Sequence, residues 1–221
     1  MSSILYQLRM RRALNAMSTG EHAVARKIWR KLSKHNPDAQ GMRHNIALTY
    51  IGEERYAEAE PLLLGEIEDF GEYYPRVRAL ADMYYAWGKG DAAAEWYGKA
   101  VEGDDCPNTE RKLLKRRSEV ASDETRYSKA LESVEQVREG NRLLAEDRWE
   151  EARACFERAV ELDPTNIQAM NNAGSIALNH EGAPETAKAW FEKALKWSEL
   201  PWLRKNLATA QRALANTGSH K

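Results

Sequence analysis

Residues 149–164 read WEEARACFERAVELDP. Trp149 and Phe156 stand seven apart, Ala152 and Ala159 also stand seven apart, and Pro164 closes the run. A helix with a plain apolar stripe has no need of methyl-sized side chains at such fixed places. Alanine there marks a close helix crossing, because a larger side chain would hold the two backbones apart. The large residue one turn later fills the space beside the crossing, as a ridge fills a groove.

The same arrangement recurs with a step of 34 residues. Ala13, Ala47 and Ala81 keep that step, and so do Gly140, Gly174 and Ala208. A second set, Ala25, Ala59 and Ala93, follows the first by 12 residues, with Ala152 and the one-residue-displaced Ala187 as its later counterparts. Four residues beyond each second site comes Trp29, Leu63, Tyr97, Phe156 or Phe191. Three further on are Leu32, Ala100, Ala159 and Ala194, with Glu66 as the exception. Turn signals separate the helices at TGE (19–21), GEE (52–54), GKGD (88–91) and NHEGAP (179–184). HNPD (35–38) and DPTN (163–166) end second helices, since proline cannot continue the hydrogen-bond ladder. No alternating strand pattern flanked by hairpin turns appears, so the periodicity predicts an all-α solenoid of helix–turn–helix units.

This pattern resembles the tetratricopeptide repeat family. With Ser133 as the first position of a repeat, the family's motif positions are held by Gly140, Leu143, Ala152, Phe156, Ala159 and Pro164. With Gln40 first they are held by Ala47, Tyr50, Ala59 and Leu63. The resemblance covers five repeats, at about 6–39, 40–73, 74–107, 133–166 and 167–200, and implies a right-handed superhelix. A sixth first helix from Pro201 has no partner and reads as the terminal cap that such arrays need. Three parts follow: residues 1–107 with three repeats, a helical insertion at 108–132, and residues 133–221 with two repeats and the cap. The insertion is helix-prone, with Asn108 and Asp123 as N-cap candidates, and forms either one extra helix or a longer first helix of the next repeat. Glu66 and Glu139 fall where apolar residues are usual, which predicts looser or shifted packing around them.

In that family the first helices line a concave groove that holds partner segments. Carried over by position, the groove residues here are His44, Asn45, Arg78, Asp82, Tyr85, Asn141, Asn171, Asn172, Ser175, Asn179, Lys205 and Asn206. Asparagine recurs at the sixth position in Asn45, Asn172 and Asn206. Its amide donates and accepts at once, which suits pairing with an extended peptide backbone. REGNRLL (138–144) is similar to the first repeat of chaperone-binding members, which hold a partner's C-terminal carboxylate. Asn141 and Asn172 match that clamp, but Val137, Trp202 and Asn206 stand where it needs cations, so the clamp is incomplete.

Composition narrows the alternatives. A net charge of −1 offers no bulk attraction to nucleic acid or an anionic membrane. That charge is segregated, however: residues 1–43 carry nine basic and two acidic side chains, and residues 44–75 carry one and eight. The cationic first repeat either complements the acidic second one, including between molecules, or attracts an anionic partner. Cys106 and Cys155 show no CxxC spacing and are expected to be reduced thiols. The histidines at 22, 35, 44, 180 and 220 form no HxxxH or HExxH pair, and no phosphate-loop, nucleophile-elbow or dinucleotide motif occurs. No cofactor or metal is therefore expected. Arginines interrupt the apolar start of the chain and no window approaches a spanning helix, so a soluble cytoplasmic protein without membrane insertion is expected. Trp29 is a packing residue, while Trp96 and Trp190 fall one place before packing positions, on the convex side. The expected role is a non-catalytic adaptor or scaffold that takes a peptide or helix of a partner in its groove. A structural subunit that self-assembles as a homo-oligomer or docks in a larger complex through convex and end surfaces is the alternative. Anion or nucleic-acid binding by the first repeat is the third.

Overall fold

A computed structural model describes residues 3–37 and 39–218; Asp38 of the HNPD signal and His220 lie outside the described residues. Twelve helices and no strand occur among the described residues, in two compact units, Met1–Cys106 and Pro107–Lys221. In the first unit α1 (Ser3–Ser18) pairs with α2 (His22–His35), α3 (Met42–Ile51) with α4 (Tyr56–Phe70), and α5 (Tyr74–Ala86) with α6 (Gly90–Glu102). In the second, α7 (Asn108–Ala121) leads into α8 (Glu124–Ala145), which pairs with α9 (Trp149–Leu162). There α10 (Ile167–Asn179) pairs with α11 (Pro184–Leu195), and α12 (Pro201–Gly218) lies against α11. Each pair touches the next through its second helix, α2 on α3, α4 on α5 and α9 on α10, as in a helical repeat array.

The alternation of small and large residues is the packing rule of both units. Trp29, Leu63, Tyr97, Phe156 and Phe191 on the second helices are fully buried, and so are Ala13, Ala47 and Ala81 on the first. A Cβ placed on Gly140 would stand 2.6 Å from the Phe156 ring, and one on Gly174 would stand 2.7 Å from Phe191. In the second unit, then, an aromatic ring rests directly on the backbone of the partner helix. The turns repeat as faithfully. Gly20, Glu54, Gly88, Asp147 and Gly182 all have left-handed φ between 58° and 83°. In four of these turns the next residue's N–H returns to the carbonyl five residues back, as Lys89 does to Tyr84 at 3.0 Å and Arg148 to Leu143 at 2.9 Å.

Residues 108–132 supply both an extra helix and an extension. They make up α7 and the start of α8, which reaches 22 residues where α5 and α10 have 13 each. Asp123 caps α8 by accepting from the Arg126 N–H at 2.9 Å. Asn108 does not cap α7; it is the helix's first residue, because Pro107, in extended geometry, takes the cap position. Asn166 caps α10 instead, accepting from the Ala169 N–H at 3.0 Å. Its own amide donates to Ser133 Oγ at 2.8 Å, and that buried hydroxyl donates to the Ala159 carbonyl at 2.7 Å. One serine thus ties together α8, the end of α9 and the start of α10.

The two glutamates at apolar positions behave differently. Glu66, only 1% exposed, accepts from the Gly41 N–H and lies 3.6 Å from Arg43 Nε and 3.9 Å from Arg76 Nε. Arg76, itself buried, donates to the Phe70 and Gly71 carbonyls at 3.0 and 3.1 Å. The carboxylate replaces a methyl contact with charge contacts joining α4 to the starts of α3 and α5, in which Oε1 accepts a hydrogen bond and Oε2 is buried without one. Glu139 stays at the surface in a bidentate pair with Arg142 at 2.8 and 2.6 Å.

The ring-on-backbone contact makes a signed prediction. Alanine at Gly140 forces the Phe156 ring aside, at a cost of about 1–3 kcal/mol that outweighs the gain in helix propensity. Gly98 in α6 has nothing within 4 Å of where its Cβ would stand. Gly98→Ala is therefore expected to stabilise by up to ~1 kcal/mol, and Gly140→Ala to destabilise. Urea denaturation with amide exchange resolves the two units, and changes of the same sign in both variants would contradict the packing account.

Candidate functional site

All twelve groove residues expected from the sequence lie on first helices. His44 and Asn45 are on α3; Arg78, Asp82 and Tyr85 on α5; Asn141 on α8. Asn171, Asn172, Ser175 and Asn179 are on α10, and Lys205 and Asn206 on α12. The structure joins four of them by hydrogen bonds in the second unit and sets three, His44, Arg78 and Asp82, around a cavity in the first.

In the second unit four asparagines form a directed chain of amide hydrogen bonds across three helices. Asn206 Nδ2 donates to Asn171 Oδ1 at 2.7 Å, and Asn171 Nδ2 to Asn172 Oδ1 at 3.3 Å. Asn172 Nδ2 completes the chain to Asn141 Oδ1 at 2.9 Å. Each amide has two donor hydrogens and two acceptor lone pairs, so every link leaves capacity unspent. The chain has a donor end at Asn141 and an acceptor end at Asn206. Ser175, Asn179 and Lys205 stand on the same helices outside this chain.

In the first unit a cavity of about 480 Å3 opens between α3 and α5. Leu48, Ile51, Pro75, Ala79 and Met83 give it apolar walls, with His44, Tyr74, Arg78 and Asp82 as its polar groups. Arg78 Nε lies 3.3 Å from Asp82 Oδ2, and Arg78 Nη1 donates to Tyr74 Oη at 3.3 Å. Tyr97 Oη donates to the other Asp82 oxygen at 2.6 Å. Burial pushes the Tyr74 phenol up to about 12, so it stays protonated at neutral pH. Burial also holds the His44 imidazole below its ordinary value, with Glu66 opposing and Arg76 adding to the shift. His44 Nδ1 is buried without a hydrogen-bond partner, which suits a neutral ring. Tyr85 is buried, edge-on to Tyr97 at 5.8 Å, and Asn45 sits on α3 outside the cavity lining.

The remaining candidates are placed as follows. Val137 is buried, and Arg204 pairs with Glu199 at 2.5 Å, so no cation completes the carboxylate clamp at those positions. Trp96 and Trp190 are half-buried beneath Lys99 and Lys193, whose ammonium groups lie 4.0 and 4.9 Å from the rings. Cys155 is partly buried with its thiol pushed up by burial, which disfavours the thiolate. Among the described residues no three His, Cys, Asp or Glu side chains are placed to hold a metal ion. No helix among them is long and apolar enough to cross a membrane.

Comparison with known proteins agrees with the repeat period in the second unit, where residues 137–200 match the family model described as tetratricopeptide repeat. A curated relative, the protein O-mannosyl-transferase TMTC1 of Mus musculus, is 30% identical over 112 residues. That alignment takes in 43% of this chain and 12% of the mouse protein, so the chain corresponds to a small part of that relative. Among solved structures, the TPR2AB domain of yeast Sti1 in a pHSP90 complex aligns over 99% of this chain and 87% of that one, at 15% identity and a TM-score of 0.48. YrrB, described as a TPR protein with an unusual peptide-binding site, aligns over 92% and 90%, at 19% identity and a TM-score of 0.42.

His44 supplies a direct check on the cavity. Its proton is bound more weakly in the folded chain than in the unfolded one, whose histidine titrates near ~6.5. Stability contributed by the neutral ring is therefore present above that pH and lost as pH falls through it. NMR titration of the His44 ring is expected to give a midpoint below the ordinary histidine range, and His44→Gln to flatten the loss of stability between about pH 7 and pH 5. A midpoint at or above the ordinary value would contradict the buried, neutral ring.

Proposed function

We propose that this chain, whose residues 137–200 match the tetratricopeptide repeat model, is a non-catalytic adaptor that binds an extended segment of a partner protein on its first helices. The observation that carries this is the amide chain from Asn206 through Asn171 and Asn172 to Asn141. An extended backbone offers one C=O and one N–H per residue at ~3.3 Å intervals. Amides already fixed by one another meet that pattern with little further loss of side-chain freedom. The first-unit cavity contributes a different chemistry. Its volume falls within the ordinary range of ligand sites, ~300–1,000 Å3, and its aliphatic walls suit one apolar side chain of a segment held by the first unit by itself. Arg78 and Asp82, already paired with each other, supply a polar rim without an unpaired charge. The glycosyl transfer named for the mouse relative is not carried over, since this chain matches 12% of that protein.

Peptides selected from a display library on the full chain test the reading. Asn172 holds the links to both Asn171 and Asn141, so Asn172→Ala removes two of the three bonds in the chain. The peptide loses the hydrogen bonds that the spare donor and acceptor of Asn172 would give it, so at roughly 1 kcal/mol for each a selected peptide is expected to weaken by about tenfold. Helicity should be unchanged, and the loss of two partly exposed intramolecular bonds should lower the unfolding free energy by no more than about 2 kcal/mol, since Asn172 lies outside the core. Peptide binding unaffected by Asn172→Ala, or light scattering showing only self-association with no peptide selected, would overturn the proposal.

A further inference from the structure

On three of the second helices an exposed cation is paired with an acid one turn away. Lys99 pairs with Glu95 on α6, Arg153 with Glu157 on α9, and Lys188 with Glu192 on α11. Helix α2 has no such means, since it carries Arg26, Lys27, Arg30, Lys31 and Lys34 and no acid at all. Its four-residue steps instead set like charges together, Arg26 with Arg30, Lys27 with Lys31, and Arg30 with Lys34. Pairs of that kind weaken a helix rather than support it. A strip kept against the preference of its own helix is a local conflict, and such conflicts are expected at functional surfaces.

The fold leaves the strip open. Arg26 is neutralised by Glu53 at 2.8 Å and lies over the Tyr50 ring, 4.4 Å from its centre. Arg30 donates to Tyr50 Oη at 2.6 Å. Both guanidinium groups are thereby held on the side of α2 that meets α3. Lys27, Lys31 and Lys34 are exposed, and among the described residues no carboxylate pairs with them. The five cations and Ala23 line a shallow depression of about 310 Å3, in which no acid and no aromatic ring takes part.

We propose that the solvent face of α2 is a docking surface for an acidic segment of a partner protein. Cations four residues apart on a helix stand ~6 Å apart along its axis. An extended chain presents alternate side chains every ~6.6 Å, so alternate carboxylates of an acidic segment keep step with them. A nucleic acid is a poorer match. Binding driven by phosphates draws on ~6–10 contacts, whereas here only Lys27, Lys31 and Lys34 are not already engaged. Glu53 borders the strip, and no ring lines it for a base to stack on. A second copy of the chain is poorer too, because the acids of its second repeat are already spent. Glu53 is taken by Arg26, Glu58 by Arg55, Glu60 by Lys89 and Asp69 by Arg43, while Glu66 is buried. The α2 face uses none of the groove residues, so this docking and the binding proposed for the first helices can fail separately.

Fluorescence anisotropy of a labelled oligoglutamate peptide with the full chain is the test, with oligoglutamine and a short DNA duplex as comparisons. Binding is expected to oligoglutamate and not to oligoglutamine, weakening as salt rises, with NMR amide shifts centred on α2. Lys31→Glu places an acid four residues from Lys27 and three from Lys34. It is expected to lower the affinity by roughly fivefold or more while raising the unfolding midpoint, since like-charge pairs become opposite ones. Lys115→Glu makes the same change of net charge at an exposed site on α7 and is expected to leave the affinity nearly unchanged, as is Asn172→Ala. The proposal is overturned by no binding to oligoglutamate, by equal binding to oligoglutamine, or by equal losses from Lys115→Glu and Lys31→Glu. Tighter binding of the duplex than of the peptide overturns it as well, and so does self-association that Lys31→Glu abolishes with no peptide bound.

Discussion

The contact on which the rest depends is an aromatic ring against bare backbone. Phe156 reaches Gly140, and Phe191 reaches Gly174, closely enough that a single added methyl would collide. Such a contact fixes both the separation of the two helices and the register at which they meet, because the ring fits only where the side chain is missing. With that register repeated, successive first helices present equivalent positions to one another. Asn206 and Asn171 are 35 residues apart, and Asn172 and Asn141 are 31 apart, yet each pair is joined by one hydrogen bond. The amide chain across α8, α10 and α12 is a consequence of the apolar packing of the same helices.

Much of the architecture was legible because it is written in residue size. The alternation of Ala13, Ala47, Ala81, Gly140 and Gly174 with Trp29, Leu63, Tyr97, Phe156 and Phe191 located every helix pair, since close crossings admit little else. Turns marked by glycine were equally visible. The turn at Asp147 carried no such mark, because an acidic residue there adopts the left-handed backbone that glycine adopts at Gly20 and Gly88. Asn108 has the residue type of a cap, but the proline before it starts the helix one residue earlier. Polar cores were the least legible. Glu66 in a methyl-sized site suggests a defect when seen in sequence, and its partners Gly41 and Arg76 become apparent only when three helix ends converge. Ser133 is similar, since its partners Ala159 and Asn166 lie 26 and 33 residues away.

Of the candidate site, positions were legible and partnerships were not. Repeat register put the asparagines on first helices, but nothing in the sequence says that they bond to one another. Tyr85 shows the limit from the other direction: it holds a groove position and is committed to the core through Tyr97. The two units also differ chemically in a way that composition averages out. The first offers an aliphatic cavity with an ion-paired rim, and the second an amide chain without charge. The same averaging hides the cationic hairpin behind a chain that is nearly neutral.

The central claim is that ring and glycine are matched to each other rather than separately tolerated. A double-mutant cycle on Gly140→Ala and Phe156→Leu measures that match directly, by urea denaturation of the two single variants and the pair. The double variant recreates the combination that the chain itself uses at Ala47 and Leu63. Each single change is expected to destabilise, and the pair to lose less than the two losses together, with a coupling of about 0.5–3 kcal/mol. Losses that simply add would show that the helices meet without the contact, and would contradict the account.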